Sequence, residues 1–544
     1  MSHVYSAVRH SGPLGIGGDE KMTDALAALA WVPGIALITA AMVPATITNR
    51  RPLRYGRFVT AVAAAGWLLS IAVAISVGAE PKTVAILSAI PVGALHLDPL
   101  TGLVAGLIGL LGTVVLRFSI RYLDGDPRQG TFLGRMAFTL GAVELMVVAG
   151  DLPTLLIAWI ATSLGLHRLL TFRHDRPEAL VVARIKFLTS RLGDVALIAA
   201  TLIAWDLFGT LRFDELFAAV RNPEAAGSIE PIAILLAIGA MTKSAQFPFH
   251  SWLPDTLDTP TPVSALMHAG VINAGGFLVI RLAPLISLSP TAAALLAGIG
   301  SLTASLGLLT AATQPSIKRG LAWSTVSQMG FMMMQCGLGA YSAAVLHLIA
   351  HSAYKAHAFL SSGSVLDGSP LSAPARDARS PLGAPFRFGL LGAAIVLAFG
   401  LPIAWGFGML SADKAGFVVL GPIVVLALGQ WLGRALAGGD RVVATFAVIR
   451  SAGMLLAYAV AYTAITRLLG DAVPSGSDLS ATVRTIAIPF ALIPFLPALL
   501  LPWIADRLPA RVVAVLWVHA HAGFYLDLPW RRWASHFGPL VPAR

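Results

Sequence analysis

The stretch AIGAMTKSAQFPFHSWLP, from Ala237 to Pro254, decides how the whole chain is read. It places Lys243 inside a run of small and apolar residues and puts Pro248 five residues later. An ionisable side chain at the centre of a bilayer costs ~2.5–3.5 kcal/mol on insertion scales. Proline removes a backbone donor, so a carbonyl near Gln246 or one turn earlier is freed. Broken backbone is tolerated at membrane depth only where protein or water satisfies it. Together the lysine and the break point to a hydrated ion path. A lysine in such a place has its neutral form within reach and can take and release a proton. The plainer alternative is a structural ion pair, or a side chain snorkelling from the end of a short helix.

Working outward, the chain fits a membrane setting. Its 544 residues are 56% hydrophobic and 12% charged, with mean hydropathy +0.78. A soluble domain carries roughly 25% charged residues. About fifteen apolar segments are long enough to span a bilayer of ~30 Å. They include 57–79, 98–120, 131–150, 152–172, 178–207, 230–250, 261–285, 289–313, 318–338 and 340–366. The expected fold is all-α and polytopic, with 14–15 transmembrane helices. The tail, Ala510–Arg544, mixes apolar and basic residues with Trp530 and Trp533 and reads as interfacial.

The net charge is +11 and the pI about 10.1. Nucleic-acid binding is rejected, because the basic residues lie in short loops between apolar segments. Arg50, Arg51, Arg54 and Arg57 fill one such loop; Arg173, Arg176, Arg184, Lys186 and Arg191 gather around another. The positive-inside rule then puts the N-terminus outside and the C-terminus inside. A lone cysteine, Cys336, excludes a disulfide framework and a cysteine cluster for zinc or iron–sulfur. The polar stretch Met1–Lys21 leads into a segment too long for a signal-peptide core, so no cleaved signal is expected. No phosphate-binding G-x-x-x-x-G-K-[ST] loop and no dinucleotide G-x-G-x-x-G after a strand occurs. Neither ATP hydrolysis nor electron transfer is expected of this chain.

Other titratable residues lie within apolar runs. His268, in LDTPTPVSALMHAGVINAGGFLVIR, is about two turns from Pro260 and Pro262 and suits a proton relay. It also suits a plain hydrogen bond to a neighbouring helix. In HLIAHSAYKAHAFL, His347, His351 and Lys355 recur at i, i+4 and i+8, one polar stripe spread over ~80° of a helix. Two histidines four apart suggest zinc, but no glutamate accompanies them and Lys355 occupies the next turn, so a proton wire is the better reading. His357 points elsewhere. Asp194, in SRLGDVALI, either tunes Lys243 or closes a salt bridge with Arg191. Glu144, in GAVELMVVAG, is either a proton carrier or the partner of a lysine. Asp413 and Lys414, in WGFGMLSADKAGF, form either a loop pair or an exit site.

The segments KSAQFPFHSWLPDTLDTPTPVSALMHAG, IKRGLAWSTVSQMG and HLIAHSAYKAHAFLSSGSV closely resemble the antiporter-like proton-translocating subunits of respiratory complex I and the related Mrp cation/proton antiporter subunits. That resemblance covers about residues 90–420. It implies two inverted five-helix repeats, each with a broken helix and a central lysine, along a hydrated midplane row of lysines and histidines. Lys243 then matches the broken-helix lysine, His268 the histidine that follows it, and Asp194 the acid of the R-x-G-D element. The implied organisation is N-terminal helices over 1–130, a first repeat over 131–285, a second over 286–435, and C-terminal helices with an interfacial tail over 436–544. Two departures stand out. The family's Trp-Glu pair reads Trp159-Ile160 here, and its S-K-D reads Ser411-Ala412-Asp413, with Lys414 one residue late.

ATSLGLHRLLTF and HAHAGFYLD are similar to the DabB-type subunits of the DAB inorganic-carbon accumulation family. That branch implies a cation-conducting subunit of the cell inner membrane beside a cytoplasmic, zinc-containing, carbonic-anhydrase-like partner of DabA type. The zinc would sit on that partner, with no cofactor and no catalysis on this chain. A respiratory proton pump subunit or an Mrp-type Na⁺/H⁺ antiporter is the alternative, and a purely structural membrane anchor is the third reading.

Overall fold

Helix starts are written in the sequence as aspartate with a proline close behind. Asp98, ahead of Pro99, and Asp151, two before Pro153, each turn a side-chain oxygen onto the backbone N–H three residues on, at 2.7 and 2.6 Å. This N-cap satisfies a donor that the first turn leaves free, and proline fits where no donor is needed. The computed structural model describes residues 25–78, 80–85, 92–173, 176–221, 229–256, 259–363, 386–410, 416–474, 481–504 and 507–536.

In chain order the main elements begin with α1 (Val32–Ala41), α2 (Pro52–Val77), β1 (Lys82–Ala85), β2 (Ala94–Leu97) and α3 (Pro99–Tyr122). Next are α4 (Gln129–Val148), α5 (Leu152–Leu170), α6 (Pro177–Phe208), α7 (Glu230–Lys243), α8 (Thr261–Ala269) and α9 (Ala274–Arg281). The second half contains α10 (Pro290–Thr313), α11 (Ile317–Gly337), α12 (Tyr341–Leu360), α13 (Phe386–Gly406), α14 (Phe417–Ala437), α15 (Arg441–Leu469) and α16 (Ala481–Ile504). Two short helices, α17 (Ala510–His521) and α18 (Leu528–Ser535), close the described chain.

The protein is a helical, multi-pass membrane protein. Among the described residues, ten helical segments are long and apolar enough to cross a bilayer. α11 and α12 have 21 and 20 residues but are not among the ten. The segment from Thr261 to Arg281 is almost entirely buried and forms the centre of the bundle, whereas α15 lies on the outside. α7 packs on α6, α4 on α5, and α10 on both α11 and α16.

Three local features differ from the expectation. The span expected over 230–250 leaves the helix at Lys243, before Pro248. The span expected over 261–285 is interrupted at Gly270, where the backbone turns to φ −120°, ψ −77°. And β1 pairs with β2 in an antiparallel hairpin, Lys82 opposite Leu97, that an all-helical reading does not contain.

The hairpin sits beside a buried clasp. The Arg281 guanidinium meets Asp98 at 2.6 and 3.0 Å and Thr101 at 2.6 Å. His96 lies 3.6 Å from the same carboxylate. Burial alone would raise the Asp98 carboxyl, but Arg281 and His96 outweigh it and hold the group well below the usual carboxylate range. The tail docks through an Arg531–Asp255 ion pair, with Arg319 3.8 Å from Asp255.

Candidate functional site

Helix α7 ends by a Schellman closure. Ser244 N–H donates to the Ala240 carbonyl and Gln246 N–H to the Met241 carbonyl, both at 3.0 Å, while Ala245 adopts φ +49°. The last helical residue is therefore Lys243, in the turn where the helix dipole favours a cation. Its Nζ crosses to α5, donating to the Trp159 carbonyl at 2.9 Å and to Ser163 Oγ at 3.0 Å. The Trp159 ring centroid is 4.2 Å away, within cation–π range. Among the described residues, every hydrogen-bond partner of this buried amine is neutral.

The charges close to it come from α6. Arg191 and Asp194 form an ion pair of 2.6 Å, one turn apart on the helix. Of the two readings of Asp194, the salt bridge with Arg191 is present, and the carboxylate also acts on Lys243 and Lys186. Close packing of α6 on α7 makes this possible. A Cβ on Gly193 would stand 2.1 Å from Thr242 Oγ1, so only glycine lets the helices approach so nearly.

Lys186 is the residue the sequence reading misses. By sequence it reads as one of the loop charges, with the arginines that surround it, yet it is buried on α6 and donates to the Ser163 carbonyl at 2.6 Å. The available signal was its place inside the apolar segment 178–207, eight residues ahead of Asp194.

The second cluster lies on α8, α11 and α12. His347, His351 and Lys355 do share one face of the continuous helix α12. His347 Nδ1 is 2.9 Å from Gln335 Oε1, and the His347 and His351 rings are 5.9 Å apart. His351 Nε2 lies 3.2 Å from the carbonyl of His268, whose ring stacks on Phe359 at 4.4 Å. Lys355 Nζ donates to the Leu321 carbonyl at 2.9 Å and to Ser324 Oγ. Here too, among the described residues, the amine donates to neutral oxygens only. Among the described residues no three His, Cys, Asp or Glu side chains gather as a metal site.

Glu144 is buried on α4 and makes no ion pair among the described residues. The charged groups acting on Lys243 are Lys186, Asp194 and Arg191. The structure thus does not bring Glu144 to a lysine. Asp413 and Lys414 lie outside the described residues.

Residues 149–410 match the family model described as NADH:quinone oxidoreductase/Mrp antiporter, transmembrane. A probable inorganic carbon transporter subunit DabB2 of Halothiobacillus neapolitanus is 36% identical over 453 residues, 82% of this chain and 80% of that protein. The NADH-quinone oxidoreductase subunit L of Mycobacterium tuberculosis is 34% identical over 320 residues, 58% of this chain and 50% of that one. A solved Mrp complex from Dietzia sp. DQ12-45-1b contains a chain that superposes with TM-score 0.56 at 23% identity, covering 96% of this chain and 58% of that one.

Proposed function

The chain belongs, with the DabB inorganic carbon transporter subunits, to the NADH:quinone oxidoreductase/Mrp antiporter family of membrane subunits, and on that premise we propose that it conducts protons to energise inorganic carbon uptake. The observation that carries this reading is the environment of its two central lysines. Lys243 and Lys355 are buried, and each donates to one backbone carbonyl and one serine hydroxyl. A carboxylate partner would hold the ammonium form in place. Neutral oxygens accept hydrogen bonds from ammonium and amine alike, so the proton is free to leave and return.

The path runs through Lys243 with Asp194, then His268 and the His347–His351–Lys355 stripe. Glu144, Asp413 and Lys414 are its remaining candidate stations. One charge crossing 100 mV releases ~2.3 kcal/mol, which must be captured elsewhere because this chain carries no chemistry of its own. The partner that captures it is a zinc-containing, carbonic-anhydrase-like protein on the cytoplasmic side of the inner membrane, where the C-terminus also lies.

The test is proton flux into vesicles holding the purified chain and a pH-sensitive dye. Lys243→Ala and Lys355→Ala are each expected to lower flux to that of empty vesicles. Undiminished flux in Lys243→Ala would overturn the reading. A current requiring Na⁺ would assign the chain to cation/proton antiport instead. Co-purification with a tagged chain tests the partner separately.

A further inference from the structure

Two lysines meet at one serine. Lys243 reaches Ser163 Oγ from α7 at 3.0 Å, and Lys186 reaches the carbonyl oxygen of the same residue from α6 at 2.6 Å. Both are buried, so neither amine end is bathed by bulk water. The groups facing this pair are His167 from α5 and Arg191 and Asp194 from α6. Asp194 is the one carboxylate among them, and its 2.6 Å contact commits it to Arg191. With both lysines protonated, three cations would face one carboxylate in a low-dielectric interior, where like charges repel far more strongly than in water. The arrangement is tolerable when the pair carries one proton fewer than two lysines can hold.

We propose that Lys186 and Lys243 share one proton across Ser163, which makes Lys186 a second proton-carrying group of the path. This rests on the proton-conducting reading above and extends it to a position taken for a loop charge in the sequence. It also bears on the missing acid after Trp159. Where the resembled family has an acid next to that tryptophan, this chain has Ile160 and places a second buried amine, Lys186, near Lys243.

The transfer balances without any other reactant. Rotation of the Lys186 side chain from the Ser163 carbonyl onto the hydroxyl places both nitrogens on Oγ, and side-chain rotations of this kind are fast. The hydroxyl oxygen accepts a proton from the ammonium of one lysine and gives its own proton to the amine of the other. One N–H bond breaks and one forms, serine ends as a hydroxyl, and the positive charge has moved from α7 to α6 or back.

The experiment uses the full chain in dye-loaded vesicles, with size-exclusion profiles to confirm folded protein. Lys186→Gln is expected to lower flux at least tenfold. Lys186→Arg keeps charge and donors but does not release its proton, so it is expected to fail in the same way. A lysine that merely pins α6 to α5 would instead be rescued by arginine. Should Lys186→Gln not fold, Ser163→Ala keeps both carbonyl contacts and removes only the hydroxyl, and a tenfold loss is expected there too. Flux above half of wild type in both Lys186→Arg and Ser163→Ala overturns the proposal. If Lys243→Ala also conducts normally, the proton-conducting reading itself has failed, and the two failures are told apart.

Discussion

Arg281 and Lys243 are both buried cations, and the protein handles them in opposite ways. Arg281 closes a two-pronged contact with Asp98 and adds Thr101, so its permanent charge is paired with a carboxylate. Lys243 has a carbonyl, a hydroxyl and an indole face. Lys355, deep in the second cluster, repeats the Lys243 pattern with Leu321 and Ser324. A guanidinium cannot shed its proton and is given an acid; an amine can, and is given none. On the proposed proton-conducting reading, the contrast separates a joint of the scaffold from stations on a path. It also separates what a substitution should do: break the fold at one, break conduction at the other.

The largest stability effect is therefore expected at the clasp. Asp98→Asn leaves the Arg281 charge buried and unpaired, which costs ~3–5 kcal/mol when a buried pair is broken from one side. The thermal midpoint of detergent-purified protein, followed by tryptophan fluorescence, should fall sharply. Lys243→Met in the same assay should be neutral or slightly stabilising, because it removes a desolvated polar group and fills its space. Equal losses in the two variants would erase the distinction. The acid behaviour follows from the Asp98 carboxyl being held below its ordinary range. A depressed carboxyl contributes stability above the unfolded value of ~3.9 and loses it only as pH falls through the folded value. The gap between wild type and Asp98→Asn should accordingly stay constant from neutral pH down to about pH 5 and close only in strong acid.

A smaller effect is expected where a lysine loses one neutral partner of two. Ser324→Ala removes the hydroxyl that Lys355 touches and leaves the Leu321 carbonyl in place. Hydrogen bonds to charged groups contribute ~1.5–3 kcal/mol, so flux should drop by roughly tenfold or more if the ammonium form of Lys355 lies on the path. Folding should be little altered. A variant that conducts normally would show that the stripe on α12 is held by other contacts, and would weaken the parallel between the two lysines.

Much of this was legible in sequence because hydropathy and charge spacing are one-dimensional signals. The apolar run expected over 98–120 is α3 at Pro99–Tyr122, and the run over 178–207 is α6 at Pro177–Phe208. The spacing of His347, His351 and Lys355 fixed a common face before any neighbour was known. Three things were hidden for physical reasons. Lys186 lies between Arg184 and Arg191, and by composition a lysine among arginines, some of which precede the apolar run, reads as an interfacial charge; only the approach of α5 makes it interior. Glu144 and Lys243 are both buried ionisable groups, but sequence carries no information on which helices face each other. The strand β2, ALHL, is four residues long and too short for a period of two to stand out.

The smallest expected effect concerns the break itself. Pro248 is the residue that sequence singles out, yet α7 closes at Lys243 because Ala245 takes the left-handed conformation at the position where glycine is usual. A non-glycine residue there costs ~1–2 kcal/mol. The Ala245 methyl is fully buried, and removing one buried carbon forfeits ~0.8 kcal/mol of transfer free energy. These two terms oppose each other, so Ala245→Gly should shift the thermal midpoint very little and leave flux intact. Isoleucine at the same position should fare far worse, since a β-branched residue in this conformation is a genuine outlier. The pair of variants asks whether the closure is set by backbone shape or by proline. If Ala245→Gly conducts and Pro248→Ala conducts as well, the turn at 244–246 alone keeps Lys243 at a helix end, where the dipole partly replaces the acid that Arg281 enjoys and the lysine lacks.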